Sequence, residues 1–327
     1  MNFLDNNIVF SSISGYNYYT IHSKNNDFYI ANHFIDGIDV EIKFSENIYD
    51  EKKWRHFLEF PTDIQNILWP IDIVECCDQD KVYKGLVFRR RAFPKMELIK
   101  KLVYNDQLLD WRKNNIQKIV INILKICVSL QKSGYAYHNY NFEHIFYNPQ
   151  NMQVLFDFIP SITRIHNDIY YTEEVSFEDF GIECLPPWMK VNENNYMDLV
   201  SDYYSITVLI FRLMIGRMPY QGRLMDAYGQ KMMNLLMDKD KLNHEIMFKE
   251  YLSHPIFIFE NSEHENTIGD MTNEERFVER WETLPECVKT MFTDVLSQKN
   301  IEQKNERRKV YSPEEWLKIL KEKCFEI

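Results

Sequence analysis

Glycine is scarce: nine in 327 residues, under half the usual share of roughly 7%. Loops that wrap phosphate with bare backbone need several glycines together, and this chain can hardly supply one such loop. Cysteine is thin as well. Cys76, Cys77, Cys127, Cys184, Cys287 and Cys324 form no C-x-x-C pair and have no His at metal spacing. They read as reduced thiols, with neither a disulfide framework nor a cysteine metal site. Long apolar runs are missing too. The longest stretch without a charged residue, 6–23, is full of Asn, Ser and Tyr and cannot sit in hydrocarbon. Met1-Asn2-Phe3-Leu4-Asp5 has neither a basic n-region nor an apolar h-region, so no secretory signal is read and the cytoplasm is the expected compartment. Positive charge is in deficit, with 38 Lys and Arg against 49 Asp and Glu, a net of -11. Such a field repels phosphate backbones and anionic lipid, so no nucleic acid and no membrane is expected as a partner.

What is present is apolar and aromatic. Hydrophobic residues make up 45% and aromatics 15%, with 22 Phe and 20 Tyr, which a solvated low-complexity chain would not carry. The length suits about two domains or one two-lobed unit.

Residues 1 to about 90 read as a small antiparallel sheet with one helix. The runs 8–10, 18–21, 28–30, 40–44, 68–74 and 83–88 are β-branched or aromatic and are separated by Asn, Ser, Asp and Gly, the composition of short strands. Residues 46–60 have helical spacing, and 89–94 read as a linker. After that the pattern turns helical. Ile116, Ile119, Val120, Ile123, Leu124, Cys127 and Leu130 follow the 3.6-residue period. Residues 196–215 are apolar on nearly every side, as in a helix buried all round. Further helices are expected at 224–237, 274–281, 286–297 and 313–323. The fold class is therefore α+β, a sheet lobe over 1–91 followed by a helical lobe over 92–327.

One constellation carries the functional reading. Gly134-Tyr135-Ala136-Tyr137-His138-Asn139-Tyr140-Asn141-Phe142-Glu143-His144 directly follows the amphipathic helix, and Asp157-Phe158-Ile159 begins thirteen residues after His144. This resembles the protein-kinase catalytic loop H-R-D-x-x-x-x-N followed by D-F-G. Tyr137-His138-Asn139 stands for H-R-D, His144 for the metal-binding Asn, and Asp157-Phe158-Ile159 for D-F-G. Val40-Glu41-Ile42-Lys43 resembles V-A-I-K, with Lys43 lying 96 residues before Asn139. The resemblance implies that Ser201-Asp202 opens the buried helix with Asp202 holding the catalytic-loop backbone. It also sets Pro186-Pro187-Trp188 at the A-P-E position and Arg307-Arg308 before the closing helix. Asn66-Ile67-Leu68-Trp69-Pro70, His254-Pro255-Ile256-Phe257-Ile258-Phe259 and Trp281-Glu282-Thr283-Leu284-Pro285 are similar to motifs of bacterial kinase-like proteins. Members of that branch often occur beside von Willebrand A-domain proteins and metal-dependent phosphatases.

The departures from the pattern bear on the chemistry. A kinase loop needs a carboxylate to position the substrate hydroxyl and accept its proton. Asn139 has no useful basicity, and such a loss costs about two to four orders of magnitude in rate; the residue reads equally well as a loop cap. His144 replaces an amide oxygen that would hold Mg2+, and imidazole suits softer metals. Gly15 alone stands in the stretch 11–19, where the resemblance implies three glycines over the phosphates, and Tyr16, Tyr18 and Tyr19 are candidates to fill that space instead. Two nucleotide features survive, Lys43 for phosphates and Asp157 for one Mg2+. Glu51 lies within roughly 60° of Ile48, Trp54 and Leu58 on a helical wheel, which makes it the carboxylate for Lys43, whether around a ligand or as a plain ion pair. Trp188 replaces the Glu that pairs with an Arg in kinases, so Arg308 or Arg307 loses that anchor and aromatic packing is expected to hold the segment. Ser161, Thr163, Tyr170 and Tyr171 offer hydroxyls there for phosphorylation. Arg89-Arg90-Arg91 reads as an anion-attracting or merely solvated run.

The resemblance thus implies a pseudokinase, a kinase-like chain without phosphoryl transfer that binds a protein partner: a regulator, a phosphatase or a kinase. ATP with Mg2+ is the only cofactor it implies. The alternative is an ATP-using enzyme, a divergent kinase or nucleotidyl transferase, that relies on Asp157 with Glu143 or His144.

Overall fold

The computed structural model describes all residues other than 1–7, 12–14, 16, 26–27, 46–50, 60–63, 65, 79–80, 91–95, 105–108, 139, 158–161, 167–168, 171–183, 190–197, 228–252, 254, 261–265, 269–273 and 324–327. The chain divides into two compact units. The first comprises Met1–Met96 with Leu155–Pro160, the second Glu97–Val154 with Ser161–Ile327.

The first unit is a closed barrel with one helix. Its strands are β1 (Ile8–Ser11), β2 (Tyr18–Asn25), β3 (Phe28–His33), β4 (Asp39–Ser45), β5 (Pro70–Asp78) and β6 (Lys81–Arg89), arranged β1-β2-β3-β4-β6-β5. Antiparallel pairing of β1 with β5 closes the ring, which leaves no bare strand edge among these strands. Alternation decides which residues go inside. Val9, Tyr19, Ile21, Tyr29, Ala31, Val40, Ile42, Val74 and Val87 fill the interior, so Phe28, Ile30, Glu41, Lys43, Leu86 and Phe88 face outward. Helix α1 (Glu51–Glu59) packs against β5. Its Phe57 carbonyl accepts a hydrogen bond from Trp69 Nε1 at 3.0 Å.

One end of this barrel is built around a buried carboxylate. Asp72 accepts from Ser11 Oγ at 2.8 Å, Tyr19 Oη at 2.9 Å and the Ile73 amide at 2.8 Å. Three donors satisfy a charge that an apolar interior would otherwise penalise heavily. They also fix the β5 bulge between Pro70 and Asp72.

The second unit is mainly helical. Strand β7 (Glu97–Leu98) leads into α2 (Lys100–Tyr104) and then α3 (Leu109–Lys132). All seven apolar positions predicted for the α3 face are buried. Gly134, at φ 80°, provides the left-handed turn that ends the helix region and starts β8 (Tyr135–Ala136), a conformation costly for other residues. Strand β9 (Ile145–Tyr147) pairs with β7, and β10 (Val154–Phe156) carries the chain back into the first unit. Strand β11 (Thr163–His166) pairs with both β8 and β12 (Ile169–Tyr170).

Helix α4 (Leu199–Ile215) is the buried axis, where even Arg212 is enclosed, its guanidinium 4.0 Å above the Phe142 ring. It begins three residues later than the apolar pattern suggested, because Asp198 is its cap and accepts from the Ser201 amide at 2.7 Å. Further helices among the described residues include α5 (Glu275–Glu282), α6 (Glu286–Leu296), α7 (Gln298–Ile301) and α8 (Pro313–Lys323), the last packed along α3. Phe259 and Trp281 stack at 4.4 Å with an interplanar angle of 4°. Two of the sequence motifs singled out above therefore meet as core packing. Most of the helix expected over 224–237 lies outside the described residues.

Candidate functional site

In the second unit the catalytic-loop-like segment is held from both sides of position 139. His138 adopts φ 60° and is 1% exposed, a backbone conformation that costs a non-glycine residue about 1–3 kcal/mol unless its surroundings impose it. Asp202, in the first turn of α4, supplies that constraint. Its Oδ1 accepts from the His138 amide at 3.1 Å, and its Oδ2 accepts from Tyr140 Oη at 3.3 Å. Burial pushes the Asp202 carboxyl up to about 7, while the His138 amide and the Tyr140 hydroxyl pull it the other way. The His138 ring faces the same carboxylate at 3.5 Å through Nδ1 and meets Thr163 Oγ1 at 2.6 Å through Nε2. Tyr137 is fully buried, its ring 5.5 Å from that of Tyr140. Asn139 itself lies outside the described residues.

Two hydroxyl and acid candidates change character. Thr163 is buried and engaged with His138, so it is not an open phosphorylation site; Ser161, Tyr171 and the Tyr170 side chain lie outside the described residues. Glu143 is exposed and paired with Lys100 at 2.6 Å, where solvent competes with the pair. His144 is half-buried; its amide donates to the Asn141 carbonyl at 3.2 Å, and its own carbonyl accepts from Tyr137 Oη at 3.4 Å.

Trp188 and Arg308 come together. The Arg308 guanidinium lies 4.0 Å above the Trp188 ring, and Trp188 meets Tyr204 edge-on at 4.9 Å. Arg308 also donates to Asn305 Oδ1 at 3.0 Å, and Asn305 in turn bonds Asp198, the cap of α4. A cation–π stack thus stands where the resemblance implies a carboxylate pair.

In the first unit Lys43 lies on the outer face of β4, its Nζ 5.6 Å from the Phe28 ring centroid. Glu51 opens α1, but its side chain lies outside the described residues, as does Arg91. Gly15 sits at φ 65° in the turn between β1 and β2. Strand β3 separates that hairpin from the lysine strand, so the Gly15 turn does not adjoin β4. Of the tyrosines near it, Tyr16 lies outside the described residues, Tyr19 is in the barrel interior and Tyr18 packs outward on Phe34 at 4.0 Å. The Arg90 guanidinium is taken by Asp39, which removes it from the proposed anion-attracting run.

Asp157 is buried and follows a segment anchored within the first unit. The Phe156 amide donates to the Asn66 carbonyl and the Leu68 amide to the Phe156 carbonyl, both at 2.9 Å. Phe158 and Ile159 lie outside the described residues. Among the described residues no group of three or more His, Cys, Asp and Glu could hold a metal ion.

Sequence reasoning missed Phe28 and Phe88 on the lysine face, the Lys100 partner of Glu143, and the Asp72 cluster. Only a composition signal existed for them, because each depends on strand register or on contacts distant in sequence.

No family model matches the chain, and no curated protein matches it. Solved structures do. The autoinhibited serine kinase domain of the giant muscle protein titin is similar over 92% of this chain and 79% of that one, at 12% identity and a TM-score of 0.56. ROP2 from Toxoplasma gondii, described as a virulence factor with a protein-kinase fold and no enzymatic activity, is similar over 95% of this chain and 83% of that one, at 12% identity and a TM-score of 0.49. The chain has an α+β, two-lobed protein-kinase-like fold.

Proposed function

We propose that the chain is a catalytically impaired kinase-like protein, a pseudokinase of the bacterial branch, that acts by binding a protein partner such as a regulator, a phosphatase or a kinase. One observation carries this reading. His138 and Tyr140, which flank position 139, both bond to Asp202, so the loop is anchored in the register that the resemblance requires. The residue in that register is Asn139, an amide that cannot accept a proton near neutral pH. The loop's own carboxylate, Glu143, is engaged by Lys100 at the surface. The machinery that orients the loop is therefore retained without the acid it would orient, which suits a scaffold better than a transferase.

The test is transfer of radiolabelled phosphate from ATP to generic protein substrates and to the chain itself, for the native sequence and for Asn139→Asp. No transfer above a protein-free control is expected from the native sequence. Robust transfer would overturn the reading.

The enzyme alternative draws support from Asp157, buried in the same compact unit as Lys43. Under that alternative, ATP with Mg2+ or Mn2+ raises the thermal midpoint; at a hundred times its dissociation constant a ligand adds about 2.7 kcal/mol. Asp157→Ala would abolish a metal-dependent part of that gain.

A further inference from the structure

The outer face of the barrel around Lys43 is occupied by the chain's own aromatic rings. In the β3–β4 ladder Tyr29 pairs with Ile42, which sets Phe28 across from Lys43. In the β4–β6 ladder Glu41 pairs with Phe88. Strands β3 and β6 are neighbours of β4 on its two sides, so their backbones are about 10 Å apart at the usual strand spacing. The rings of Phe28 and Phe88 nevertheless meet, with centroids 6.2 Å apart and an interplanar angle of 74°. Side chains two strands apart can touch only by leaning toward each other over the strand between them. The pair therefore arches over β4 at the level of Glu41 and Lys43, with the Lys43 ammonium 5.6 Å from the Phe28 centroid.

We propose that Phe28 is an internal plug: its ring holds the place on the lysine face where the base of a purine nucleoside triphosphate would lie, and binding of such a ligand is gated by its displacement. This rests on the kinase-like reading of Lys43 given above. The physical basis is competition for one surface. A planar base stacked beside Lys43 needs the volume that the two rings fill, and its phosphates need the ammonium that the Phe28 face attracts.

The test is calorimetric titration of the full chain with ATP, with and without Mg2+, for the native sequence, Phe28→Ala, Phe28→Leu and the double variant Phe28→Ala with Lys43→Ala. Phe28 is half-buried and heads its strand. Phe28→Leu, which keeps apolar bulk but loses the ring, is judged by the same criteria should the alanine variant fail to melt cooperatively. The expected result is at least tenfold tighter binding when the ring is removed, with most of that gain lost when Lys43 is also removed. Equal or weaker binding by the Phe28 variants, or micromolar binding by the native chain, overturns the plug. Phosphoryl transfer measured on the same samples separates the two ideas. Tighter binding without transfer upholds both, and unchanged affinity without transfer overturns the plug alone. Transfer by a Phe28 variant that binds tightly upholds the plug and overturns the non-catalytic reading.

Discussion

In each unit a buried aspartate organises the backbone around it, Asp72 in the first and Asp202 in the second, and the two are treated differently. Asp72 in the barrel has three donors, all within 2.9 Å and two of them side-chain hydroxyls. Asp202 beside α4 is 0% exposed and is held by longer bonds, 3.1 Å from the His138 amide and 3.3 Å from the Tyr140 hydroxyl. The difference teaches what each group does. The first carboxylate locks a bulge and a barrel end, a task for strong bonds that do not change. The second fixes a loop with a left-handed residue in it, and because burial outweighs its donors, its charge is only partly stabilised near neutral pH.

The largest expected effect is on the better-bonded group. Asp72→Ala removes the acceptor shared by two buried hydroxyls and an amide, at about 1.5–3 kcal/mol for each hydrogen bond to a charged group, and should cost about 4 kcal/mol in a denaturant titration. A loss below about 1 kcal/mol would mean that water replaces the carboxylate, and the contrast between the units would fail.

Next comes the pH response of Asp202. In the unfolded chain such a carboxyl titrates near 4; in the folded chain burial raises it to about 7. Between those values the folded state keeps a proton that the unfolded state has lost. Stability is therefore greatest at the acid end of that window, falls as pH rises through it and is level above it. Asp202→Asn removes the titration. Measured against that variant from pH 4.5 to 7.5, the native chain should lose about 2–4 kcal/mol. Parallel curves would show that burial does not govern this carboxyl.

A smaller effect is expected where the same unit uses a ring in place of a carboxylate. Trp188→Ala removes the surface beneath Arg308 and should cost about 2 kcal/mol. Trp188→Glu should recover part of that loss in a salt-dependent way, as an ion pair does. Recovery that does not respond to salt would mean that Arg308 is held by its bonds to Asn305 Oδ1 and, at 3.3 Å, to the Ile301 carbonyl alone.

The smallest effect sharpens the comparison from the exposed side. Lys100→Ala should change stability by less than about 1 kcal/mol, since both members of its pair with Glu143 are in water. A larger loss would show that the pair anchors the loop as Asp202 does.

Much of the fold was legible because burial leaves a periodic trace. The α3 face, the limits of α8 and the strand runs around Val40 and Ile42 follow from spacing alone. The start of α4 was misread because Asp198 looks like one polar residue in an apolar helix, and only its bond to the Ser201 amide identifies it as a cap. The strand read over 68–74 proved to begin at Pro70, because Asn66 and Leu68 spend their backbone groups on Phe156. The place of the Gly15 turn in the strand order, one strand removed from β4, was not legible, because a turn is local but which strand lies beside it is not.

The sequence by itself determined the class of fold, the amide at position 139 and the lack of glycine for a phosphate-wrapping loop, since residue identity and periodicity are written in one dimension. Tertiary structure alone decided that Phe28 leans over β4 toward Phe88, that Arg308 finds Trp188 and that Thr163 is shut in against His138. Each of those contacts joins residues brought together by strand register or helix packing, and the free energy that selects them comes from burying surface between segments that no local pattern links.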